Sequence, residues 1–269
     1  MKTTVVTGAS SGIGRAIARI LGEGGHHIIA AGRSERRTAP VVAEIQDSGG
    51  SAEFLRLDLS SFDHVRTAAV DLLARGRQLD VVINNAGVGI ARGSTTDGFE
   101  PRFGINHLGH FLFNRLLWDA FREGTRIVTV ASSAHFRVDG IDWDRVAKPA
   151  WAPIGLDLYA FSKLANILYT TELARLKPEW RTYAAHPGLV NTKILPGFVR
   201  LLRGDRMQTP EQGARTPVFC ATDPDLANES GGYYARGERA TPSTAARDDE
   251  LARELWERSE RWCGLDADL

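Results

Sequence analysis

Short apolar runs rich in β-branched residues alternate with longer segments of helical periodicity along most of this chain. Such alternation is typical of βαβ units, in which helices cover both faces of a parallel sheet. Several runs are apolar at nearly every position, as expected for strands that are buried on both sides. The pattern predicts an α/β fold, a doubly wound parallel β-sheet in a single domain over residues 1–269. The runs are TTVVT, HIIAA, AEFLRL, DVVIN, RIVTVAS and RTYAAH.

The segments between the runs have the length and periodicity of helices. The longest, FEPRFGINHLGHFLFNRLLWDAFREG, predicts one helix over residues 99–124. A later segment, LDLYAFSKLANILYTTELARL, predicts a helix that carries Tyr159 and Lys163. A short strand at GGYYA and a C-terminal helix at DDELARELWERSERW complete the predicted elements.

Composition narrows the class of protein. Lys+Arg and Asp+Glu each number 33, and this zero net charge argues against a nucleic-acid-binding protein that relies on neutralising phosphates. The two cysteines, Cys220 and Cys263, are too few for a disulfide framework and suit a reducing compartment. Strand-like residues begin at Lys2, and no apolar run reaches the roughly 18 residues that span a bilayer. We therefore expect a cytoplasmic protein with no membrane span.

Two long segments, 134–157 and 193–208, interrupt the alternation. Both follow the carboxyl ends of predicted strands, where ligands bind in open α/β sheets. Segments of this length within compact domains are often functional. We predict that both segments cover the substrate and form a roomy apolar pocket. Their large apolar residues are Phe136, Trp143, Trp151, Leu195, Phe198, Leu201, Leu202 and Met207.

A glycine-rich turn, VVTGASSGIGRAIA, lies between the first strand and the first helix. The glycines are not spaced as G-x-G-x-x-G, but they allow the same tight turn and close approach of the backbone to a ligand. Free N–H groups at the start of the following helix attract an anion. In the first βα unit of a parallel sheet, this turn predicts a Rossmann-type dinucleotide site. The predicted contacts are Gly8, Ser10, Ser11, Gly12, Ile13 and Gly14.

The end of the second strand, IIAAGRSERR, indicates which dinucleotide binds. An NAD-preferring site usually places Asp or Glu there to bind the ribose 2′-hydroxyl. Here Gly32 and Arg33 occupy that position, and an arginine can hold a 2′-phosphate with two charged donors. The sequence therefore predicts NADP(H), with Arg33 as the main contact and Arg37 as a second one.

Five motifs in order, TGASSGIG, INNAG, INHLGHF, YAFSK and HPGLVNT, resemble the short-chain dehydrogenase/reductases. The resemblance runs essentially from end to end. Further details, such as TDGFEPRFGINHLGHFLFNRLL and SKLANILYTTELAR, look like the retinol dehydrogenase-like branch. This branch includes WW-domain oxidoreductases and protochlorophyllide reductases.

The resemblance implies cofactor contacts in the turns that follow three strands. Asp58 and Leu59 match the pair that contacts the adenine. Thr192 matches the residue that hydrogen-bonds the nicotinamide carboxamide. The other matching positions are Asn85, Ala86, Gly87, Pro187, Gly188 and Val190.

The resemblance also implies the catalytic residues Asn106, Tyr159, Lys163 and a serine. Aligning VASSAH with the family's V-S-S-x-A-H makes Ser132 the catalytic serine. Ser133 stays open as the alternative, because Ala131 replaces the family's first serine. Tyr159 and Lys163 would also contact the cofactor.

The Tyr159–Lys163 spacing has a physical reading of its own. Residues at i and i+4 share one helix face, and a free phenol with a pKa near 10 exchanges protons poorly at neutral pH. We expect the Lys163 ammonium to stabilise the phenolate and lower the pKa of Tyr159. Tyr159 would then act as the general acid–base.

Together these features predict NADP(H)-dependent hydride transfer to or from a carbonyl or alcohol of a lipophilic small molecule. Two alternatives stay open: a C=C reductase or isomerase on the same fold, and a non-catalytic NADPH-binding interaction module. Family members often pair through the long helices, so a homodimer or homotetramer is also open. His107 and His110 lie one turn apart without a third ligand in view, so we expect no metal.

Overall fold

The computed structural model describes residues 1–152, 154–191 and 207–265. In these ranges it contains one eight-stranded sheet with the strand order β3-β2-β1-β4-β5-β6-β7-β8. All neighbouring strands pair in parallel except β7 and β8, which pair antiparallel. The predicted doubly wound α/β fold is confirmed. The strands are β1 (Thr3–Thr7), β2 (His27–Gly32), β3 (Ser51–Arg56), β4 (Leu79–Asn84), β5 (Phe121–Val130), β6 (Arg181–His186), β7 (Gly232–Ala235) and β8 (Glu238–Arg239).

Helices cover both faces of the sheet, and none in the described ranges is long and apolar enough to cross a membrane. They are α1 (Gly12–Glu23), α2 (Glu35–Asp47), α3 (Phe62–Ala74), α4 (Pro101–Phe103), α5 (Gly109–Leu116), α6 (Trp143–Val146), α7 (Leu156–Leu176), α8 (Pro210–Thr222) and α9 (Asp249–Trp262). A π-helical turn, Gly104–Leu108, joins α4 to α5.

The core consists of two apolar layers, one on each face of the sheet. One layer joins the sheet to α3, α5, α7 and α9, and the other joins it to α1, α2 and α8. Successive strand residues point to opposite faces, so Val5 of β1 lies in the first layer and Val6 in the second. This explains why the strands are apolar at nearly every position.

The predicted helix over residues 99–124 is wrong in its second half. The helical path ends at Leu116, a 3₁₀ turn covers Trp118–Ala120, and β5 begins at Phe121. Phe121 pairs with Leu79 of β4 and packs its ring against Trp180, with the centroids 5.0 Å apart. Strand pairing and burial of an aromatic side chain thus outweigh the local preference for helix.

The strand order reverses direction between β1 and β4. From β1 the chain moves outward through β2 and β3, and it then returns to place β4 on the other side of β1. Such a reversal opens a crevice at the carboxyl ends of the two central strands, where ligands bind in this type of sheet. The loops after β1 and β4 meet at this crevice.

Candidate active site

A cavity of about 630 Å³ lies in this crevice. That volume is within the range that accommodates small molecules and cofactors. Most of the predicted cofactor contacts line it. They are Gly8, Ser10, Ser11, Gly12, Ile13, Gly14, Arg33, Arg37, Asp58, Leu59, Asn85, Ala86 and Gly87.

The glycine-rich turn interlocks with the turn after β4. Gly8 has a φ of +70°, and a Cβ there would lie 2.9 Å from the Ala86 Cα. A Cβ on Gly14 would overlap the carbonyl oxygen of Gly8. The Asn85 side chain donates to the Thr7 carbonyl at 2.8 Å and fixes the two turns together. Only glycine allows this close approach.

The first turn of α1 presents its N–H groups to the cavity. The side chain of the N-cap residue, Ser11, makes no capping hydrogen bond, and this turn carries no acidic residue. Unsatisfied N–H groups at a helix start favour a bound anion such as a phosphate.

The arginines near the end of β2 border the same cavity. Arg33 and Arg37 are both exposed, so their guanidinium groups are accessible to a ligand. Gly32, the last residue of β2, leaves little room for a larger side chain, because a Cβ there would lie 3.0 Å from the Thr38 hydroxyl. Because of the two arginines, this edge of the cavity is basic.

Asp58 and Leu59 follow β3 and form another wall of the cavity. One oxygen of the Asp58 carboxylate accepts hydrogen bonds from the backbone N–H and the hydroxyl of Ser60, at 3.0 and 2.7 Å. These bonds fix the turn. Leu59 is buried and abuts α5 at Gly109.

Ser132, Tyr159 and Lys163 meet at the carboxyl end of β5. Ser132 follows this strand, and its side chain lies near enough to the Tyr159 phenol to lower the pKa of that residue. Lys163 lies one helical turn after Tyr159, with its Nζ 5.8 Å from the centre of the phenol ring. The Lys163 ammonium donates to the Val130 carbonyl at 2.8 Å, and so does the Asn166 side chain at 3.0 Å. Of the two candidate serines, Ser132 is thus the one paired with Tyr159.

Burial controls the titration of Tyr159 and Lys163. Burial raises the pKa of Tyr159 to about 12, and the nearby Ser132 side chain opposes part of this shift. Burial also lowers the pKa of Lys163 to about 7. We expected Lys163 to lower the pKa of the phenol, but desolvation is the largest cause and raises this pKa. Tyr159 is accordingly a protonated, neutral phenol at neutral pH.

Asn106 lies in the π-helical turn and is 1% exposed. Its side-chain oxygen accepts from the Val88 N–H at 2.8 Å, and its amide donates to the Val88 carbonyl at 3.1 Å. The same amide donates to the Ser162 hydroxyl at 3.0 Å, which donates in turn to the Tyr159 carbonyl at 2.7 Å. Asn106 therefore ties the loop after β4 to α7.

Pro187, Gly188 and Val190 follow β6 and are not among the residues that line the cavity. Val190 is buried in the same apolar layer as Ile13, and its side chain lies against Gly213. Thr192 and residues 193–206 of the second predicted loop lie outside the described residues.

The first predicted substrate loop, 134–157, is partly ordered by pairing with the loop after β4. Ile90 pairs with Ile154 and Gly93 with Ala150 in isolated antiparallel bridges. We call these paired segments, residues 90–93, 150–152 and 154, the strap. Trp151 in the strap is 91% exposed. Trp143 instead packs against Trp262 and is not an exposed side chain of the loop.

Several residues that organise the site were not identified from the sequence. Arg102 and Glu100 form a fully buried ion pair, and the Arg102 guanidinium also donates to the carbonyls of Gly89 and Ala91. His135 Nδ1 lies 2.6 Å from the Ser132 carbonyl. Charged residues inside the apolar segment after Phe99 were the available signal for the first pair, since buried charges require partners.

Comparisons with known proteins agree with this geometry. A family model described as short chain dehydrogenase matches residues 2–143. Retinol dehydrogenase 11 of Homo sapiens is 39% identical over 279 residues, covering 99% of this chain and 87% of that relative. Polyprenol dehydrogenase of Mus musculus is 39% identical over 284 residues, covering 98% and 84%. A crystal structure of an uncharacterized protein from Mycobacterium paratuberculosis matches with a TM-score of 0.82 and 31% identity, covering 100% of this chain and 96% of that one.

Proposed function

The chain belongs to the short-chain dehydrogenase/reductase family, and from that premise we propose that it is an NADP(H)-dependent oxidoreductase acting on lipophilic carbonyls or alcohols. Family membership makes it a hydride-transfer dehydrogenase that uses a nicotinamide cofactor. The choice of NADP(H), the residue roles and the substrate class are the parts that we propose.

NADP(H) fits the residues around the cavity. The uncapped start of α1 and the glycine-rich turn would hold the pyrophosphate. Arg33 and Arg37 would hold the 2′-phosphate, which an acidic residue at the end of β2 would repel. When bound, the cofactor supplies or accepts the hydride, and its oxidised form adds a positive charge to the site.

The observation that carries the proposed chemistry is that the Ser132 hydroxyl lies beside the half-buried phenol of Tyr159, where it lowers the pKa of the phenol. A carbonyl oxygen placed between the two hydroxyl groups accepts a hydrogen bond from each. Tyr159 then transfers its proton to the oxygen as negative charge develops there. Ser132 orients the oxygen and stabilises the charge, and Lys163 holds a positive charge nearby when it is protonated. Oxidation of the alcohol reverses these steps.

Apolar side chains beside α7 support a lipophilic substrate. Ile90, Trp151, Ile154 and Leu156 are all exposed, and all lie in the strap or at the start of α7. Two similar proteins are named for retinol and polyprenol, both lipophilic alcohols. Burying such a side chain would release ordered water and favour binding of an apolar substrate.

The test is to follow NADPH oxidation with a panel of lipophilic aldehydes and ketones. We expect turnover by the wild type and a loss of at least about 100-fold in kcat for Tyr159→Phe, with the Kd for NADPH changed little. Product analysis separates reduction of C=O from reduction of C=C. Turnover that is unchanged in Tyr159→Phe, or NADPH binding without turnover of any compound, would contradict the proposal.

A further inference from the structure

His110 is a buried residue that contacts Thr7 in the wall of the cofactor cavity and that the proposed chemistry does not use. It lies in α5 and is 2% exposed. Its Nδ1 is 3.1 Å from the Asn106 carbonyl oxygen, and its Nε2 is 2.8 Å from the Thr7 hydroxyl. The imidazole therefore connects the end of β1 to the π-helical turn.

The partners of His110 determine its tautomer. A carbonyl oxygen can only accept, so Nδ1 carries the hydrogen and Nε2 accepts from the Thr7 hydroxyl. Burial lowers the pKa of His110 to about 3, which keeps the ring neutral. The Thr7 oxygen meanwhile accepts from the backbone N–H groups of Asn85 and Ala86, both at 2.9 Å. Every group in this set then has a partner.

The hydrogen-bond chain continues from Asn106 to the proposed proton donor. The Asn106 side chain bonds Val88 and Ser162, and Ser162 bonds the Tyr159 carbonyl. The full path runs from the turn after β4 through Thr7, His110, Asn106 and Ser162 to α7. It thus links the backbone that lines the cofactor cavity with the backbone that carries Tyr159.

We propose that His110 is a positioning residue for hydride transfer. Its two hydrogen bonds fix the end of β1, which holds the turn after β4, against the π-helical turn. The Asn106 side chain of that turn is also bonded to the helix of Tyr159. The effect on turnover rests on the proposed function, whereas the tautomer and the hydrogen bonds do not. A displacement of about 1 Å between reacting groups can cost about 100-fold in rate, so His110 affects the rate without touching the substrate.

The kinetic test compares three variants. His110→Phe removes both nitrogens and is expected to lower kcat by about 10- to 100-fold, with a smaller change in the KM of the carbonyl substrate. His110→Asn retains a donor near the Nδ1 position and is expected to recover part of kcat. Thr7→Val removes the hydroxyl that bonds His110. The fold-loss of kcat in the double variant with His110→Phe should be smaller than the product of the two single fold-losses, because both substitutions break the same hydrogen bond.

His107 provides a matched control one helical turn away. It is equally buried, and its Nε2 lies 2.9 Å from the Ser259 hydroxyl of α9, away from the cofactor cavity. His107→Phe is expected to change Tm by an amount similar to His110→Phe while leaving kcat near the wild-type value. Equal losses of kcat in the two variants would mean that His110 acts only through stability, and would overturn the proposal.

Two readouts do not depend on turnover. ¹⁵N NMR of the histidine rings should show His110 as the neutral Nδ1–H tautomer, and the Nε2–H tautomer would overturn the proposal. Amide hydrogen exchange at Asn85 and Ala86 should accelerate in His110→Phe but not in His107→Phe. If these results hold while no carbonyl is turned over, the proposed function fails and the hydrogen-bond path stands.

Discussion

Burial moves the pKa values of Tyr159 and Lys163, the two catalytic candidates on α7, in opposite directions. It keeps Tyr159 protonated and brings the pKa of Lys163 to about 7. A protonated phenol suits carbonyl reduction, in which it gives its proton away. Oxidation needs the phenolate, so positive charge near the phenol matters more in that direction. The spacing of the motif correctly predicted that Tyr159 and Lys163 are neighbours. The pKa shifts depend on how deeply the pair is buried, which is a property of the folded core and cannot be read from two residues of the sequence.

Lys163→Met tests whether the lysine is retained for function at the expense of stability. The pKa of Lys163 is about 7 in the folded protein and has its ordinary value of 10.5 in the unfolded chain, so the folded state binds fewer protons than the unfolded state between these values. Wild-type stability therefore gains with pH over that window, relative to the variant. We expect the variant to be more stable near pH 7, with the difference in Tm shrinking toward pH 10, and kcat to fall at least about 100-fold.

A variant that stayed less stable than wild type across this pH window would contradict the argument. The Val130 carbonyl retains the Asn166 side chain as a donor in Lys163→Met, so no buried acceptor is left without a partner. The difference in stability between wild type and Lys163→Met therefore measures the cost of burying the charged ammonium of Lys163.

Arg33 is expected to set the preference for NADP(H). Arg33→Asp should weaken NADPH binding by about 10- to 100-fold, since it removes a charge-assisted contact and adds repulsion. NADH binding should change less or improve. Isothermal titration with both cofactors measures the effect. Arg36 is also exposed but is not among the residues that line the cavity, so Arg36→Asp is the matched control. If the two substitutions weakened NADPH binding equally, the net charge of this surface, and not a specific contact of Arg33, would determine the affinity.

At the scale of elements, the sequence predicted β1 to β7 and most helices, but not the short strand β8 or how the path from Phe99 to Val130 divides. Its apolar periodicity is helical, yet the structure contains α4, a π-helical turn, α5 and the start of β5. The π-helical turn places Asn106 against Val88, a partner 18 residues away in the chain. Such contacts depend on tertiary packing. For the same reason the Thr7–His110 bond, which joins residues 103 positions apart, carries no local signal.

The close approach of α5 to the loop after β3, which contains Leu59, depends on Gly109. A Cβ at this position would lie 2.6 Å from the Leu59 carbonyl oxygen, which belongs to the backbone and cannot rotate away. We expect Gly109→Ala to destabilise the protein by about 1–3 kcal/mol and to weaken NADPH binding, because Leu59 lines the cavity. Thermal denaturation and cofactor titration measure both effects.

Gly140 is the control for this substitution, since a Cβ there meets nothing within 4 Å. Gly140→Ala should leave both Tm and Kd nearly unchanged. If Gly109→Ala also left Tm and Kd unchanged, α5 would not be packed against the loop after β3 as described.

At the scale of the whole molecule, α9 covers α5 and α7. Trp256 stacks on Tyr169 of α7 at 5.9 Å, with 5° between the rings, and meets Phe111 of α5 edge-on at 5.0 Å. The resemblance to the family left open a pairing of subunits through the long helices that carry Asn106 and Tyr159. In this chain a helix of the same molecule occupies part of that surface, which leaves less of it for a second copy.

Trp256→Ala should therefore act as a core substitution. Trp256 is 7% exposed, and truncating a buried tryptophan typically costs about 3–5 kcal/mol. Chemical denaturation measures the loss, and light scattering shows whether the uncovered aromatic surface leads to self-association. Trp151 is 91% exposed, so Trp151→Ala should change the free energy of unfolding by about 0.5 kcal/mol at most. Similar losses in the two variants would contradict the packing of α9.

The strap has a kinetic consequence. Ile90 borders the nucleotide cavity, and its bridge partner Ile154 lies just before the helix of Tyr159. A dinucleotide that fixes Ile90 would also fix Ile154, beside the apolar side chains that we propose contact the substrate. We therefore expect the nucleotide to bind first and leave last, so that NADP⁺ competes with NADPH but not with the carbonyl compound in product-inhibition experiments.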